Sequence, residues 1–495
     1  MSLKIFNTLT HKKESFVPLQ GKKVGMYVCG PTVYNYIHVG NARPVVFFDV
    51  VYRYLQYKGY EVTYVRNITD VDDRIIQRAQ SEKKRSAEIA RHYEDAFQKD
   101  IHLLAVMNPT LSPRATEHVL EMIQWIQQLV GEGIAYQAQG EILFSIEKFP
   151  HYGKLSKKNT DDLIAGARVE VSKHKKNPID FVLWKPTKNI DDPAEPSWDS
   201  PWGKGRPGWH IECSVMATKY LGESIDIHGG GVDLIFPHHE NEIAQCESYT
   251  KKTFVKYWLH NNMLVLGKEK MSKSLGNIIT IREFLQKYPA EVLKFILLSN
   301  HYRSSLEFSD QVIKESIQSL EKIYKMLEKV KKKIENPIIT SYEDRDRKNI
   351  EFTLSVDSFW RSFEEYIEDD FNTAGALGSV LSTVRIVNRY FSETQDEVSP
   401  AMVETFQKLL NEFEKVSKVL GLFFQSPEFF LKELHDKASV LVTLSKSEIK
   451  RLITEREEAR QEKNWKKSDE IRDFLKSHNI TLEDTPQGTH WKVES

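Results

Sequence analysis

Within its first 70 residues the chain runs strand, helix, strand, and that order demands a parallel sheet. Val24-Gly-Met-Tyr-Val-Cys29 is a short apolar run closed by the turn pair Gly30-Pro31. A stretch rich in helix formers and aromatics follows from Arg43 to Tyr57, then Gly59, then a second strand from Val62 to Arg66. Two parallel strands need a crossover, and a helix between them supplies it. A Gly-rich stretch leading into a helix over Asp226 to Glu247, and strand-like Val255 to Leu259, mark where the same sheet resumes. The fold class expected is therefore α/β: a Rossmann-like parallel-sheet catalytic domain with an insertion, followed by an α-helical bundle and a small C-terminal domain.

The 495 residues suit about three domains. Residues 1–130 read as the first half of the catalytic domain and 206–262 as its second half. Between them, 131–205 is a connective insertion, with short β-rich pieces (Glu141 to Ile146, Phe181 to Trp184) among charged and Pro-rich loops. Residues 263–310 form a linker region. Over 311–430, Ile313, Ile317, Leu320, Tyr324, Leu327, Val330 and Ile334 recur at four- and three-residue steps, the pattern of one helix face against a bundle core. Residues 431–495 form the small terminal domain, with a charged helix from Ser447 to Gln461 and the turn Thr485-Pro486-Gln487-Gly488.

Charge excludes some partners. With 69 Lys and Arg against 70 Asp and Glu, the chain is neither a basic chromatin-type protein nor an acidic disordered tail. No apolar run reaches the roughly 18–20 residues of a membrane span, so no membrane role is expected, and no signal peptide is read at the N-terminus. Three cysteines do not make a disulfide framework, which points to the reducing cytoplasm.

Two motifs carry phosphate chemistry. In His38-Val39-Gly40-Asn41, Gly40 lets backbone approach a ligand, and the helix starting here offers unpaired N–H groups to phosphate. His38 and Asn41 add side-chain donors. In Lys270-Met271-Ser272-Lys273-Ser274, two lysines and two serines make a cationic cluster suited to the charge that grows on a leaving pyrophosphate.

Together the pair resembles the signature motifs of class I aminoacyl-tRNA synthetases, and within them the cysteinyl-tRNA synthetases. The resemblance extends through Cys29-Gly-Pro-Thr-Val-Tyr34, Asn67-Ile-Thr-Asp-Val-Asp-Asp73, Pro207-Gly-Trp-His-Ile-Glu-Cys213, Gly229-Gly-Gly-Val-Asp233, Phe236-Pro-His-His-Glu-Asn-Glu242 and Asp369-Asp-Phe-Asn-Thr373. One departure is Asn41, where the class usually has His; Asn still donates to a phosphate oxygen but carries no charge. The resemblance implies ATP-dependent activation of L-cysteine and its transfer to cysteine tRNA, with magnesium accompanying ATP. His38, Asn41, Lys270 and Lys273 are then the catalytic residues, Gly40, Gly229, Gly230, Asp233 and Lys273 the ATP contacts, and Thr69 and Trp209 the amino-acid contacts. Core or surface packing is nearly as good a reading of Thr69 and Trp209.

A metal site completes the set. His38 apart, His238 and Glu242 stand four residues apart, on one face if helical. The resemblance adds Cys29 and Cys213, giving two thiolates, an imidazole and a carboxylate, a donor set that suits one zinc per chain. His239 and Glu240 are expected to point to other helix faces, whereas Cys246, four beyond Glu242, competes as a ligand. A soft thiolate substrate prefers zinc far more than a hydroxyl does, so zinc would select cysteine over serine.

Through Ser468-Asp-Glu-Ile-Arg-Asp473 and Asp484-Thr-Pro-Gln-Gly488 the resemblance also implies an anticodon-binding module. Its 11 Lys/Arg and 11 Asp/Glu over 445–495 balance, and Trp465 and Trp491 are either base-stacking surfaces or buried anchors. A monomer is expected. Two alternatives remain at this stage: a ligase joining cysteine to an amino-sugar acceptor in mycothiol synthesis, whose relatives lack the terminal module, and a non-catalytic tRNA-binding paralogue.

Overall fold

The hairpin β1 (Lys4–Asn7) and β2 (Lys12–Ser15) precedes the crossover unit. The computed structural model describes residues 2–157, 174–266, 269–270, 279–337, 347–394, 400–440, 446–477, 480–485 and 488–493. β3 (Lys23–Val28), α1 (Val39–Tyr57) and β4 (Glu61–Arg66) form the expected strand–helix–strand unit, with β3 and β4 parallel from Lys23↔Glu61 to Val28↔Arg66. α1 starts at Val39 rather than Arg43. Pro44 sits inside the helix and removes one backbone donor.

Helices α2 (Asp73–Glu82), α3 (Ser86–Leu103) and α4 (Val119–Gly131) follow. The inserted region is a four-stranded antiparallel sheet of β5 (Ala135–Ala138), β6 (Glu141–Phe144), β7 (Phe181–Pro186) and β8 (Gly205–Pro207), in that spatial order. Then α5 (Trp209–Leu221), β9 (Ile225–Gly231), α6 (Glu240–Thr250) and β10 (Val255–Asn261) return the chain to the first sheet. Its order is β10-β9-β3-β4, all parallel. Strand order therefore reverses at β3, with β4 on one side and β9 on the other. The crevice outside the carboxyl ends of β3 and β9 is the place where such sheets bind ligands.

Alternation along the strands divides two cores. Met26, Val28, Tyr64 and Leu259 face a core shared with α1 and the helical region, while Tyr27, Val65 and Trp258 face one shared with α4, α5 and the inserted sheet. Beyond β10 lie β11 (Leu264–Leu266), β12 (Glu269–Lys270), α7 (Ile281–Lys287), α8 (Ala290–Leu298) and β13 (Leu306–Phe308), with β11 parallel to β13 and antiparallel to β12.

The long amphipathic stretch is α9 (Asp310–Glu335), and it buries Ile313, Ile317, Leu320, Tyr324, Leu327 and Val330. Ile334 is half-buried. α9 packs with α11 (Thr373–Glu393), α12 (Pro400–Leu420) and α13 (Pro427–Val440), and α10 (Arg347–Glu368) packs on α11 and α12. The chain ends in α14 (Lys446–Gln461), α15 (Trp465–Ser477) and the hairpin β14 (Ile480–Thr485), β15 (Gly488–Val493). This last unit has a separate small core of Ile449, Ile453, Ile471, Leu475 and Ile480. Trp491 packs against that core, whereas Trp465 is exposed. Among the described residues no helix is long and apolar enough to cross a membrane.

Candidate metal centre and active site

Cys29 is the first residue beyond β3, and its N–H reaches the Gly229 carbonyl of β9 at 3.2 Å. Its thiol is thus placed at the crevice where strand order reverses. Four groups converge on it. Cys213 Sγ, from α5, lies 3.7 Å from Cys29 Sγ; Glu242 Oε1, from α6, lies 3.5 Å away; and His239 Nε2 lies 3.3 Å away. His238 Nε2 stands 3.0 Å from Glu242 Oε1. The donor atoms of Cys29, His238, His239 and Glu242 all lie within 4.8 Å of one another. Tetrahedral ligands about 2.0–2.3 Å from a zinc ion stand roughly 3.3–3.8 Å apart. The donor types and their separations therefore fit a metal ion.

His239 departs from the sequence expectation, which turned it to another face. The segment Ile235–His239 is a wide, irregular turn and α6 begins only at Glu240, so the two histidines precede the regular helix. Both are buried at the cluster. Glu240 does face away: it accepts the N–H groups of Leu155 and Ser156. Cys246 is buried elsewhere, 3.9 Å from the Ser214 carbonyl, and is not among the converging donors.

Neighbouring side chains hold the donors. His228 Nε2 contacts Glu242 Oε2 at 2.8 Å, His239 Nδ1 contacts His260 Nε2 at 2.8 Å, and His260 Nδ1 contacts Thr8 Oγ1 at 2.8 Å. Such contacts fix ring orientation and tautomer at metal sites. Sequence reasoning missed this surround, although five of the chain's 16 histidines fall between His210 and His260, a density that could have signalled it.

Electrostatics favour a cation. Burial alone would raise the Cys213 thiol, but the contacts with Cys29 and His238 outweigh it and bring it to about 6. Burial, and the hydrogen bond with Cys213, push Cys29 up. Burial opposes charge on His238, yet the Glu242 carboxylate and Cys213 hold its imidazolium up to about 10. Against its own burial, Glu242 is kept well below the usual carboxylate range by His228 and His238. Two anionic donors thus face one another across a protonated ring, and an ion can take that proton's place.

The remaining expected residues fall around this centre. Trp209 stacks on His238 at 4.1 Å. Thr69 is buried; its hydroxyl donates to Glu212 Oε2 at 3.1 Å and accepts from Asn67 Nδ2 at 3.2 Å. Gly229 has a packing reason to be small, since a Cβ would sit 2.0 Å from the Phe48 ring; at Gly230 it would meet His239 at 3.1 Å. Asp233 is exposed. His38 caps α1 in extended backbone, and its N–H donates to Asn41 Oδ1 at 3.3 Å. A Cβ on Gly40 would press on the His38 ring at 3.0 Å. The backbone of Lys270 lies in β12, while Lys273 lies outside the described residues. Past that segment the chain returns to α1: Val39 N–H donates to the Ile279 carbonyl at 3.0 Å and Ile281 N–H to the Ile37 carbonyl at 3.2 Å.

The profile of the class I (C) tRNA synthetase catalytic domain matches residues 15–318, that of the DALR domain 362–425, and that of the cysteinyl-tRNA ligase anticodon-binding domain 446–491. The chain is 49% identical over 494 residues to a cysteine–tRNA ligase of Geobacter sp. (strain M21), and 50% identical over 499 residues to one of Geotalea uraniireducens (strain Rf4). Each alignment covers 100% of both chains. The chain belongs to the cysteine–tRNA ligase family. The same fold appears in Mycobacterium tuberculosis methionyl-tRNA synthetase bound by methionyl-adenylate, with TM-score 0.60 at 14% identity, over 86% of this chain and 95% of that one. The parallel-sheet α/β fold read from the strand–helix–strand order is thus shared with a chain of very different sequence.

Proposed function

We propose that the protein is a cysteine–tRNA ligase that activates L-cysteine with ATP and passes the cysteinyl group to cysteine tRNA. The observation that carries this reading is the meeting of Cys29, Cys213, His238 and Glu242 in the crevice between β3 and β9. These four residues would hold one zinc ion, with His239 Nε2, 3.3 Å from Cys29 Sγ, beside the same position. Bound there, zinc supplies a soft Lewis acid for the substrate thiolate, which a serine hydroxyl satisfies far less well. Shape alone separates such near-isosteres by only about 1–3 kcal/mol.

Trp209 walls the amino-acid pocket beside His238, and Thr69 faces the polar end of the substrate. The cysteine carboxylate attacks the α-phosphate of ATP, the bond to the β-phosphate breaks, and cysteinyl-adenylate and magnesium pyrophosphate form. The terminal adenosine hydroxyl of tRNA then takes the cysteinyl group and AMP leaves. No protein nucleophile is required; the protein contributes placement and charge. His38, Asn41 and the α1 N–H groups hold phosphates, Gly40 gives them room, and Gly229, Gly230 and Asp233 border the adenosine. Lys270 and Lys273 steady the departing pyrophosphate. Residues 1–130 and 206–262 form the catalytic domain, 131–205 the connective insertion, 263–310 the linker with the lysine loop, 311–430 the bundle, and 431–495 the anticodon module of a cytoplasmic monomer.

The test is cysteine-dependent exchange of pyrophosphate into ATP, together with charging of cysteine tRNA and metal analysis. Exchange with cysteine but not serine, with about one zinc per chain, is the expected result. Exchange without tRNA charging would instead favour another acceptor.

A further inference from the structure

One cation near the signature helix has no role in the mechanism above. Arg43, in the second turn of α1, is 1% exposed. Among the described residues no carboxylate pairs with it, and burial alone pulls its guanidinium down to about 10. All its recorded partners are backbone carbonyls. One terminal nitrogen donates to Asn262 and Met263, both at 2.8 Å; the other donates to His301 at 3.2 Å and Ser304 at 2.6 Å. Burying an unpaired charge is costly, and an apolar side chain would fill the same space more cheaply. What the guanidinium adds is a planar fork that grips two chain segments at once.

Those segments matter. Asn262 and Met263 lead directly into β11, and His301 to Ser304 lead into β13, its parallel partner. The two are tied again by Asn262 N–H to Tyr302 at 2.7 Å and Leu306 N–H to Met263 at 3.1 Å. From β11 the chain passes through β12 to Lys270 and Lys273. On its way back it binds α1 at Val39. Val39 and Arg43 are four apart and so share one helix face. Both ends of the lysine-bearing segment are therefore fastened to α1, one at the Val39 N–H of its first turn and the other at the Arg43 side chain.

We propose that Arg43 is a positioning residue for adenylate formation: by gripping the carbonyls of Asn262, Met263, His301 and Ser304, it fixes the entries to β11 and β13 against the helix that carries the His38-Val39-Gly40-Asn41 turn. The inference rests on the function proposed above. Arg43 touches no substrate; it acts by holding β11, from which the chain runs on toward Lys270 and Lys273. A misplacement near 1 Å at such a distance costs about 100-fold in rate.

The test uses the full chain with Arg43→Met, which keeps length but removes the fork, and Arg43→Lys, which keeps charge with compact donors. Single-turnover cysteine activation should slow about 100-fold in Arg43→Met, with the cysteine KM within about threefold of the parent and partial rescue in Arg43→Lys. Hydrogen exchange without substrates should accelerate at Leu264–Leu266 and Leu306–Phe308 while β3 and β4 keep their protection. If Arg43→Met does not fold, Arg43→Lys carries both readouts. An activation rate within threefold of the parent, or a loss confined to KM, overturns the proposal, as does unchanged exchange at Leu264–Leu266. A parent protein without cysteine-dependent pyrophosphate exchange removes the proposed reaction instead, and the exchange data still decide whether Arg43 clamps the segment.

Discussion

Cys29 and Cys213 stand 3.7 Å apart and both are free, and the proposed function makes them zinc donors. Cys29→Ser and Cys213→Ser should therefore lose bound zinc, read by metal analysis of the purified protein. Cys246→Ser should keep about one zinc per chain, because its sulfur sits by the Ser214 carbonyl outside the cluster. Lys273→Ala should slow adenylate formation roughly 100-fold or more, the size of losing one preorganised donor, with a smaller effect on ATP affinity; pre-steady-state activation at varied ATP separates the two. The closeness of His238 and Glu242 was legible from their four-residue spacing, while Cys29 and Cys213 were named only through the resemblance. His239 was not legible, since a helical wheel was applied across a segment that becomes helical only at Glu240. Arg43 left no sequence signal at all: its partners are carbonyls, and every residue type carries one.

α8 shows how an element joins domains. Glu291, in its first turn, accepts from the Tyr324 hydroxyl of α9 and from the Phe423 N–H beyond α12, each at 2.8 Å. Lys294, one turn on, binds Asp49 of α1 at 3.1 Å, and Arg53 shares that carboxylate at 2.8 Å. Burial pushes the Glu291 carboxyl up to about 7 despite its hydrogen bonds. A raised carboxyl holds its proton more tightly in the folded state. Its stabilising contribution is complete below the unfolded value near 4.5 and is lost as pH rises through about 7. Glu291→Gln should thus gain on the parent by about 2–3 kcal/mol between pH 5 and pH 8, read as the difference in unfolding midpoint at the two pH values. The elements themselves were largely legible from periodicity. The α8 contacts were not, because a Glu and a Lys on a helix ordinarily read as solvated, and only the packing of three elements buries them.

At the scale of the molecule, the terminal unit has its own small core, while the sheet shares one large core with the bundle and the other with the inserted region. Deleting residues from 446 onward should therefore spare cysteine activation and cripple tRNA charging, compared in pyrophosphate exchange and in charging of wild-type and anticodon-substituted tRNA. The unit's balanced charge means its effect should follow anticodon sequence rather than generic phosphate attraction. Order along the chain has a consequence of another kind. β3 is an interior strand of its four-stranded sheet, yet its neighbour β9 begins only at Ile225. A ribosome making roughly 5–20 residues per second needs on the order of 10–40 seconds to travel from one to the other. During that wait the nascent chain exposes an open strand edge on β3, so the burden on chaperones falls on this interval and ends when Ile225–Asn261 emerges.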